Sequence, residues 1–439
     1  MLHRASVPCV EGPPDLFQLH CRQPADYPFL LQSVAGAGRY DILFAHPGQT
    51  LDAEHPSFFD QLNRAAVAEK YDGPAGDLPF IGGWFIYLGY EWAGKIEPAV
   101  HCPASPHRLP GALAVRCTAA IIFDHQRCRL ELVAEDQAGL ARLENDAAGL
   151  AGSTDTALQN LAEQCDEEPA QQFIKGVDRI LDYLAQGDVF QVNLSRGWRA
   201  RLKAGFSYQN VYRQLRRTNA APFAGLLCWD GVAVLSSSPE RLLEMRDGWV
   251  QTRPIAGTHP RHADHALDDA QRAHLLASFK ERAEHIMLID LERNDLGRVC
   301  EPGSIEVDEL MQVESYAHVH HIVSSVRGRL RPGTAPGDVL SAVFPGGTIT
   351  GCPKVRAMQI IAELEGVGRG PYTGAMGYLS RDGHMDMNIL IRSMVCDGRE
   401  ISFRTGAGIV ADSKPESELA ETRAKARGML LALGIEETR

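Results

Sequence analysis

The sequence lacks the cysteine spacing of a zinc-binding or disulfide-bonded protein. Its ten cysteines lie singly along 439 residues, without a Cys-x-x-Cys pair, and so indicate buried free thiols in a reducing compartment. The chain also lacks the N-terminal apolar core of a secretory signal and any apolar run near the roughly 18 residues that span a membrane. We therefore expect a cytoplasmic protein with no membrane partner.

Basic residues are scarce relative to acidic ones. The 44 lysines and arginines against 56 aspartates and glutamates give a formal net charge of -12. This balance argues against a nucleic-acid partner, because the chain has no surplus of cations to neutralise phosphates. A few local cations would still be enough to bind a small anion. The length and the 44% hydrophobic composition predict an ordinary globular protein with a large core.

Periodicity predicts antiparallel strands and separate helices. Arg246-Asp247-Gly248 is a hairpin turn between two short apolar strands, and Asp-Gly turns at 382–383 and 397–398 predict a meander over 374–405. Helical spacing covers 267–291 and 415–433. Asp412 or Ser413 is the expected cap of the second of these helices. Long antiparallel sheets with separate helices predict an α+β fold rather than βαβ units.

A polar, small and acidic segment at 149–171 is the best candidate for a boundary. It predicts an N-terminal region at 1–148 and a C-terminal region at 172–437, packed together as one unit. The sequence shows no internal repeat and no low-complexity tract.

Polar motifs crowd the C-terminal region, and many of them mix charged groups with glycine or proline, as expected where polar groups converge in a cavity. They are Gln191-Val-Asn-Leu, Ser238-Pro-Glu-Arg, Pro254-Ile-Ala-Gly-Thr, Arg282-Ala-Glu-His, His320-His321, Pro345-Gly-Gly-Thr-Ile-Thr-Gly and Glu418-x-x-Glu-Thr.

Two acidic pairs lie on predicted helices. Glu281 and Glu284 are three residues apart, as are Glu418 and Glu421, so each pair shares one helix face. Four convergent carboxylates would suit Mg2+, which prefers oxygen ligands. Two solvated helix faces are the alternative interpretation.

Two cations and a glycine-rich strand end are candidates for binding an anion. Arg392 offers a bidentate fork for a carboxylate. Lys425 lies one helical turn after Glu421, so it is either a second anion-binding group or only the partner of that glutamate. The stretch from Thr405 through Gly406 and Ala407 to Gly408 would supply backbone N–H groups, since glycine permits close approach.

The same motifs, in this order, resemble the chorismate-utilising enzymes. The resemblance is strong from about 170 to 430 and implies a large α+β fold with two stacked antiparallel sheets covered by helices. It also implies Mg2+ bound by Glu284 and Glu421, with Glu281 and Glu418 acting partly through water. Residues that match substrate-contact positions of the family are Thr350, Tyr378, Arg392, Lys425 and the backbone of Gly406, Ala407 and Gly408.

Glu240 matches a family position proposed as the general acid for the departing C4 hydroxyl, which requires a desolvated, protonated carboxyl. Without the resemblance, a surface glutamate paired with Arg241 is the simpler interpretation. His321 matches an active-site histidine, and a buried structural histidine is its alternative. A metal site formed by His318, His320 and His321 is disfavoured, because neighbours on one strand do not all point to one side.

The branch of the family is signalled by Gln191. Isochorismate and salicylate synthases place a water-activating lysine there, so glutamine points to ammonia as the nucleophile. Spellings such as Asn193 and Arg241 then resemble aminodeoxychorismate synthase component I, which aminates chorismate for folate synthesis. Ala256 favours the other activity. Alanine is usual at this position in anthranilate synthase component I, whereas many aminodeoxychorismate synthases carry there a lysine thought to attack the substrate covalently. Alanine cannot be a nucleophile.

Two partners follow from the resemblance. The chain has no Gly-x-Cys-x-Gly nucleophile turn, so a glutamine amidotransferase subunit is implied as the ammonia source. The segment Leu30-Leu-Gln-Ser33 resembles the tryptophan-binding segment of relatives, with Gln32 where glutamate is usual. We therefore keep tryptophan at an N-terminal site as an expectation and do not expect it to inhibit.

Overall fold

The computed structural model describes residues 2–9, 12–34, 38–51, 57–152, 158–261, 264–315 and 319–435. His318 therefore lies outside the described residues. The helices of the described part are α1 (Phe17–Arg22), α2 (Phe58–Ala68), α3 (Ala93–Ile96), α4 (Gln137–Ala147), α5 (Ala170–Ala185), α6 (Tyr208–Thr218), α7 (His265–Ala277), α8 (Phe279–Gly297), α9 (Pro336–Val343), α10 (Lys354–Glu365) and α11 (Pro415–Ala432). In this part of the chain, no helix is both long enough and apolar enough to cross a membrane.

The strands of the described part are β1 (His3–Pro8), β2 (Phe29–Gln32), β3 (Tyr40–Leu51), β4 (Gly83–Leu88), β5 (Ala112–Asp124), β6 (Arg129–Ala134), β7 (Ala162–Glu167), β8 (Gln191–Leu202), β9 (Phe223–Trp229), β10 (Val232–Ser238), β11 (Arg241–Arg246), β12 (Trp249–Thr252), β13 (Ile255–Pro260), β14 (Glu306–Ser315), β15 (Val319–Arg329), β16 (Gly351–Cys352), β17 (Ala375–Ser380), β18 (Met385–Ile389), β19 (Ser393–Asp397) and β20 (Glu400–Ile409).

These strands form one antiparallel network with two arms that meet where β3 pairs with β5. The first arm runs from β3 through β2, β9, β10, β19 and β20 to β8. The second runs from β5 through β4, β17, β18, β11 and β12 to β15, which also pairs with β13 and β14. The predicted α+β class is confirmed, but the sheets are continuous rather than separate.

The two arms face each other across a core of aromatic and aliphatic side chains. Phe29 of β2 stacks on Phe85 of β4 with ring centroids 4.1 Å apart, and Val234, Met376 and Val395 belong to the same buried cluster. Burying both faces explains why β4 is apolar at every position instead of alternating. The network thus folds back on itself into two layers, as the resemblance implied.

Helices cover the outside and position the ends of the strands. α11 packs on β20 and α6, α10 packs on β8, and α8 packs on β13 and β15. On α5, the residues Phe173, Val177 and Ile180 are buried at helical spacing, as expected for an amphipathic helix that packs one face on the core.

Three local predictions need correction. The helix predicted over 267–291 is two helices, because Ser278 ends α7 and its hydroxyl accepts the backbone N–H of Glu281 to cap α8. Neither Asp412 nor Ser413 caps α11: Lys414 holds that position without a side-chain bond, and the Ser413 hydroxyl accepts from Val410 instead. The predicted 149–171 linker contains β7, which pairs with β8. The division into two regions remains a prediction.

The predicted meander is also broken. β18 ends at Ile389 and β19 begins at Ser393, and the two strands pair with β11 and β10 respectively. Arg392 in the gap has φ of 52°, in the left-handed region that non-glycine residues rarely adopt. The chain therefore changes arms at a residue that the sequence marks as an anion-binding group.

Candidate active site

Glu240 lies in the short connection between β10 and β11 and is only 5% exposed. Burial is the main cause that raises the pKa of its carboxyl to about 8, and the charge of Glu292 adds to the rise. The side chain of Thr348, the backbone of Ile255 and the charge of Lys425 oppose it. The carboxyl is therefore predominantly protonated at neutral pH, and the surface ion pair considered for Glu240 is not what the structure shows.

His321 lies on β15 and is buried. Its Nδ1 donates to the carbonyl oxygen of Gly257 at 3.2 Å, which fixes the proton on Nδ1 in the neutral ring. Burial is the main cause that lowers the pKa of this histidine to about 4. The charges of Arg392 and Lys425 act in the same direction, and the hydrogen bond to Gly257 and the charge of Glu314 oppose them. His321 is thus a neutral imidazole within electrostatic reach of both predicted anion-binding cations.

Gly257 creates the bend that brings this carbonyl to the histidine. Its φ is 61° and the β13–β15 register shifts there, which is a β-bulge with glycine in the left-handed region. A methyl group at Gly257 would lie 3.0 Å from Glu281 Oε2, so α8 closes this side of the site. Ala256 precedes the bulge and pairs with Ile322.

Arg392 and Lys425 supply the positive charge. Burial lowers the pKa of Arg392, and the charges of Tyr372 and Glu421 oppose this. No carboxylate of the described residues forms an ion pair with Arg392. Lys425 donates to the Gly406 carbonyl at 3.0 Å and pairs with Glu421 at 2.6 Å. Lys425 is therefore the partner of Glu421 on the same helix, as one interpretation held, but it also contacts β20.

The end of β20 faces two buried amides on β8. A methyl group at Gly408 would lie 2.7 Å from Gln191 Nε2, and one at Gly406 would lie 2.8 Å from Asn193 Oδ1 and from the Tyr372 hydroxyl. Gln191 Oε1 and Asn193 Oδ1 are buried without a hydrogen-bond partner among the described residues. The glycines leave the space in which these amide oxygens can accept a hydrogen bond from a ligand.

The remaining residues predicted to contact the substrate lie in different surroundings. Ala407 points into the apolar cluster under the sheet, so its side chain is structural. Thr350 is buried, and its hydroxyl donates to the Gly346 carbonyl at 2.9 Å. Tyr378 does not join the group: it packs against Phe44 and Phe80 and lines a different cavity.

Tyr372 is the tyrosine beside Arg392, and sequence reasoning missed it. It lies in the turn before β17, within the segment 370–374, which combines glycine, proline and polar residues like the motifs that were singled out. That composition was the available signal. Asn193 was noted only as a spelling, although its buried amide faces the site.

The four predicted metal ligands lie on two helices. Glu281 and Glu284 are on α8, and Glu418 and Glu421 are on α11. Their carboxylate oxygens fit the preference of Mg2+. However, no group of three or more acidic, histidine or cysteine side chains in the described part of the chain forms a ready-made metal site. The predicted convergence of all four carboxylates is therefore not seen in that part of the chain.

A cavity of about 250 Å³ lies at the N-terminal segment, apart from Glu240, His321 and Lys425. Gln32, Ser33, Arg241 and Tyr378 are among its lining residues. Arg241 holds Asp386 through two bonds of 3.0 Å and pairs with Glu244 at 2.8 Å. The segment that resembles a tryptophan-binding segment therefore borders a cavity. Arg241 lines this cavity and does not belong to the group of residues around Glu240.

A buried carboxyl, a neutral histidine and two cations are the kinds of group expected in a site for a small anion that undergoes proton transfer. Residues 24–431 match the family model described as chorismate binding enzyme. The chain belongs to this family and is an enzyme that acts on chorismate.

Individual relatives divide between two activities. An aminodeoxychorismate synthase component 1 from Klebsiella aerogenes is 43% identical over 413 residues, covering 89% of this chain and 90% of that protein. An anthranilate synthase component 1 from Aquifex aeolicus is 37% identical over 465 residues, covering 97% and 93%. The crystal structure of anthranilate synthase component I from Streptococcus pneumoniae TIGR4 superimposes with a TM-score of 0.79 at 31% identity, covering 90% and 92%.

Proposed function

We propose that this enzyme is an aminodeoxychorismate synthase component I, which replaces the C4 hydroxyl of chorismate with an amino group from ammonia. The observation that carries the chemistry is Glu240, a buried carboxyl that stays protonated at neutral pH. Loss of a hydroxyl group needs a proton donor, because hydroxide is a poor leaving group. Glu240 gives its proton to the C4 hydroxyl, which leaves as water. The glutamate regains a proton from the ammonium group that forms as ammonia attacks.

Chorismate is a dianion, and Arg392 and Lys425 balance its negative charge. Arg392, which has no ion pair among the described residues, binds one carboxylate through its fork. Lys425 and the backbone of Gly406, Ala407 and Gly408 bind at the end of β20. Tyr372, His321 and Thr350 border the ring.

Mg2+ is the metal that enzymes of this family generally use. We propose that Glu284 and Glu421 hold it, with Glu281 and Glu418 acting through water. When bound, the metal neutralises a substrate carboxylate and fixes its position. Replacing Glu421 by Gln should abolish Mg2+-dependent activity, and an unchanged rate would refute this assignment.

Gln191 favours ammonia over water as the nucleophile, because a neutral amide cannot serve as a base for water. Ala256 removes the covalent lysine route. We propose that ammonia first adds at C2 as the C4 hydroxyl leaves, and that a second ammonia then adds at C4 as the first departs. Ala256→Lys should be tolerated, so complete loss of product in a folded variant would count against this route.

Anthranilate synthase component I is the second candidate function. Ala256 favours it, as do the Aquifex and Streptococcus relatives. Such an enzyme would continue from the 2-amino intermediate by eliminating pyruvate. The higher identity to the Klebsiella protein and the buried Asn193 at the site favour aminodeoxychorismate.

The relatives are named as component 1 of their synthases, which supports a second subunit. We propose a glutamine amidotransferase that supplies ammonia, and free ammonium should replace it in vitro.

The deciding experiment incubates purified protein with chorismate, Mg2+ and ammonium and identifies the products by mass spectrometry. A 4-amino product that keeps its enolpyruvyl side chain supports the proposal. Anthranilate with an equal amount of pyruvate supports the second candidate, and no conversion of chorismate contradicts both.

A further inference from the structure

Arg369 is a buried arginine near the candidate active site, and the polar motifs of the sequence do not include it. It follows α10 and is 2% exposed. Glu365, four residues earlier, accepts from its Nε at 3.0 Å and from its Nη2 at 2.7 Å. The same carboxylate accepts the backbone N–H and the hydroxyl of Ser195 on β8, at 2.9 and 2.7 Å. The charge of Arg369 is therefore already paired, so this arginine is not free to bind a substrate carboxylate as Arg392 is proposed to do.

The other N–H groups of Arg369 donate to three separate segments of the chain. Nη2 donates to the Asn193 carbonyl on β8 at 2.7 Å, and Nη1 donates to the Ile349 carbonyl at 3.1 Å and to the Thr373 hydroxyl at 3.2 Å. With the two bonds to Glu365, these contacts use all five N–H groups of the guanidinium. One buried side chain therefore connects β8, the turn before β16 and the turn before β17.

Each of these three segments carries a candidate substrate contact. The amide oxygen of Asn193 is buried beside β20 without a hydrogen-bond partner among the described residues, and Thr350 and Tyr372 are the chain neighbours of the other two contact points. The backbone N–H of Asn193 also donates to the Thr350 carbonyl at 2.8 Å. The guanidinium carbon of Arg369 lies 5.5 Å from the centre of the Tyr372 ring. Arg369 is thus in contact with the segments that present all three side chains.

We propose that Arg369 is a positioning residue, which fixes Asn193, Thr350 and Tyr372 relative to one another by holding the segments that carry them. The inference rests on the proposed role of these three residues as substrate contacts and does not depend on which amino product forms. Arg369 itself does not touch the substrate. Its effect on the rate comes from geometry, because a displacement of about 1 Å in a positioning group can slow an enzyme by roughly 10²-fold.

The test compares chorismate consumption by Arg369→Ala and by wild type, at a temperature at which circular dichroism shows both to be folded. We expect kcat/KM to fall by roughly 10–100-fold, because the carbonyls of Asn193 and Ile349 lose the donor that aligns them. Arg369 and Tyr372 line a cavity of about 660 Å³, so a small cation can enter the space that the variant leaves. Guanidinium at a non-denaturing concentration should therefore restore part of kcat/KM. Urea, which has a similar shape and no charge, should not.

Arg116→Ala is the matched control. Arg116 is also buried, pairs with two glutamates and donates to two backbone carbonyls, but none of these partners is a candidate substrate contact. This variant should lose stability, because it leaves partly buried carboxylates without their cation. While it is folded it should keep the wild-type kcat/KM, and guanidinium should not raise that value.

If Arg369→Ala does not fold, Arg369→Lys is the second variant. It keeps a cation for Glu365, but a single ammonium cannot span the Asn193 and Ile349 carbonyls, so kcat/KM should again fall, by about 10-fold. Wild-type kcat/KM in either folded variant overturns the inference. An equal loss in Arg116→Ala, or a response of Arg369→Ala to guanidinium no larger than its response to urea, also overturns it. Absence of chorismate consumption by wild type and by Arg116→Ala would instead overturn the proposed function.

Discussion

Arg241 and Arg392 lie near neighbouring strand ends, yet the regions around them treat charge differently. Arg241, at the N-terminal cavity, is saturated by Asp386 and Glu244. Arg392, near His321 and Lys425, has no ion pair in the described part of the chain. Arg392 is half-buried, and a guanidinium without a carboxylate partner of its own can bind the carboxylate of a ligand. The comparison teaches that an arginine without an ion pair is a better candidate for binding an anionic substrate than an arginine that two carboxylates already hold.

The largest expected effect is the loss of kcat when an acidic side chain of the candidate active site, rather than one of the N-terminal cavity, is replaced by its amide. Glu240→Gln should lower kcat by roughly 10²–10⁴-fold, because the amide cannot donate the proton that general acid catalysis needs. Glu244→Gln changes an acid of the N-terminal cavity in the same way and should keep kcat near wild type. Steady-state kinetics at neutral pH measure both. Equal losses in the two variants would mean that the regions do not differ in chemistry.

Replacing Arg392 should impair substrate binding, whereas replacing Arg241 should impair stability. Arg392→Gln removes a carboxylate fork and should raise the chorismate KM, with kcat/KM lower by roughly 10²-fold. Arg241→Gln strands two carboxylates and should instead lower the free energy of unfolding by roughly 3 kcal/mol. Kinetics and denaturant unfolding on both variants measure this. An unchanged KM in Arg392→Gln would contradict the substrate assignment.

The glycine-lined end of β20 should be sensitive to a single methyl group. In Gly406→Ala the new carbon would lie 2.7 Å from the Leu194 carbonyl and 2.8 Å from Asn193 Oδ1 and the Tyr372 hydroxyl. We expect kcat/KM to fall by at least about 10-fold as these groups move. Gly48→Ala is the control, since its new carbon meets only the Arg116 carbonyl at 3.8 Å. Wild-type kinetics in Gly406→Ala would show that this space is not used.

Two histidines should give opposite pH dependences of stability. The pKa of His321 is lowered to about 4 by burial, so its contribution is present above pH 6.5 and is lost as the pH falls towards 4. This amounts to on the order of 3 kcal/mol. The pKa of His125 is raised, mainly by its hydrogen bond to Asp41, which also holds Ser33 at the N-terminal cavity. Its contribution is present below pH 6.5 and is lost as the pH rises through the folded-state value.

Urea unfolding of His321→Gln and His125→Gln across this range measures both histidine contributions. Relative to wild type, the first variant should lose less stability on acidification, and the second should lose more. Parallel curves for the two variants would contradict the opposite signs.

The smallest expected effect is that of tryptophan. We expect tryptophan to bind in the cavity beside Gln32 and to leave the rate of chorismate conversion unchanged, because that cavity lies apart from Glu240 and Lys425. Calorimetry and activity assays measure the two quantities. A calorimetric titration without heat of binding would end the tryptophan proposal, and inhibition would mean that the two regions communicate.

Local patterns predicted most of the elements but not how they meet. The hairpin of β11 and β12 and the helix α5 follow from turn residues and spacing that act within a few neighbours. The break at Arg392 has no such signal, since an arginine with positive φ is held by the strands on either side. Tyr372 and Tyr378 look equally suitable in the sequence. Only the pairing of β17 with β4 decides that Tyr378 faces the other cavity.

The candidate site shows the same division. Most of its acidic and basic residues could be predicted from the sequence, because they belong to the polar motifs. The contact of Lys425 with the Gly406 carbonyl depends on α11 being docked on the sheet. No spacing within one helix contains that information.

The pairing of β4 with β17 has a consequence for biosynthesis. These strands lie near opposite ends of the chain, so a ribosome must deliver most of the protein before β4 finds its partner. Until then the apolar β4 presents an open edge, the kind of surface on which nascent chains stick to one another. Synthesis of this enzyme should therefore depend on chaperones that cover that edge, and truncation after β16 should yield aggregates rather than a smaller folded protein.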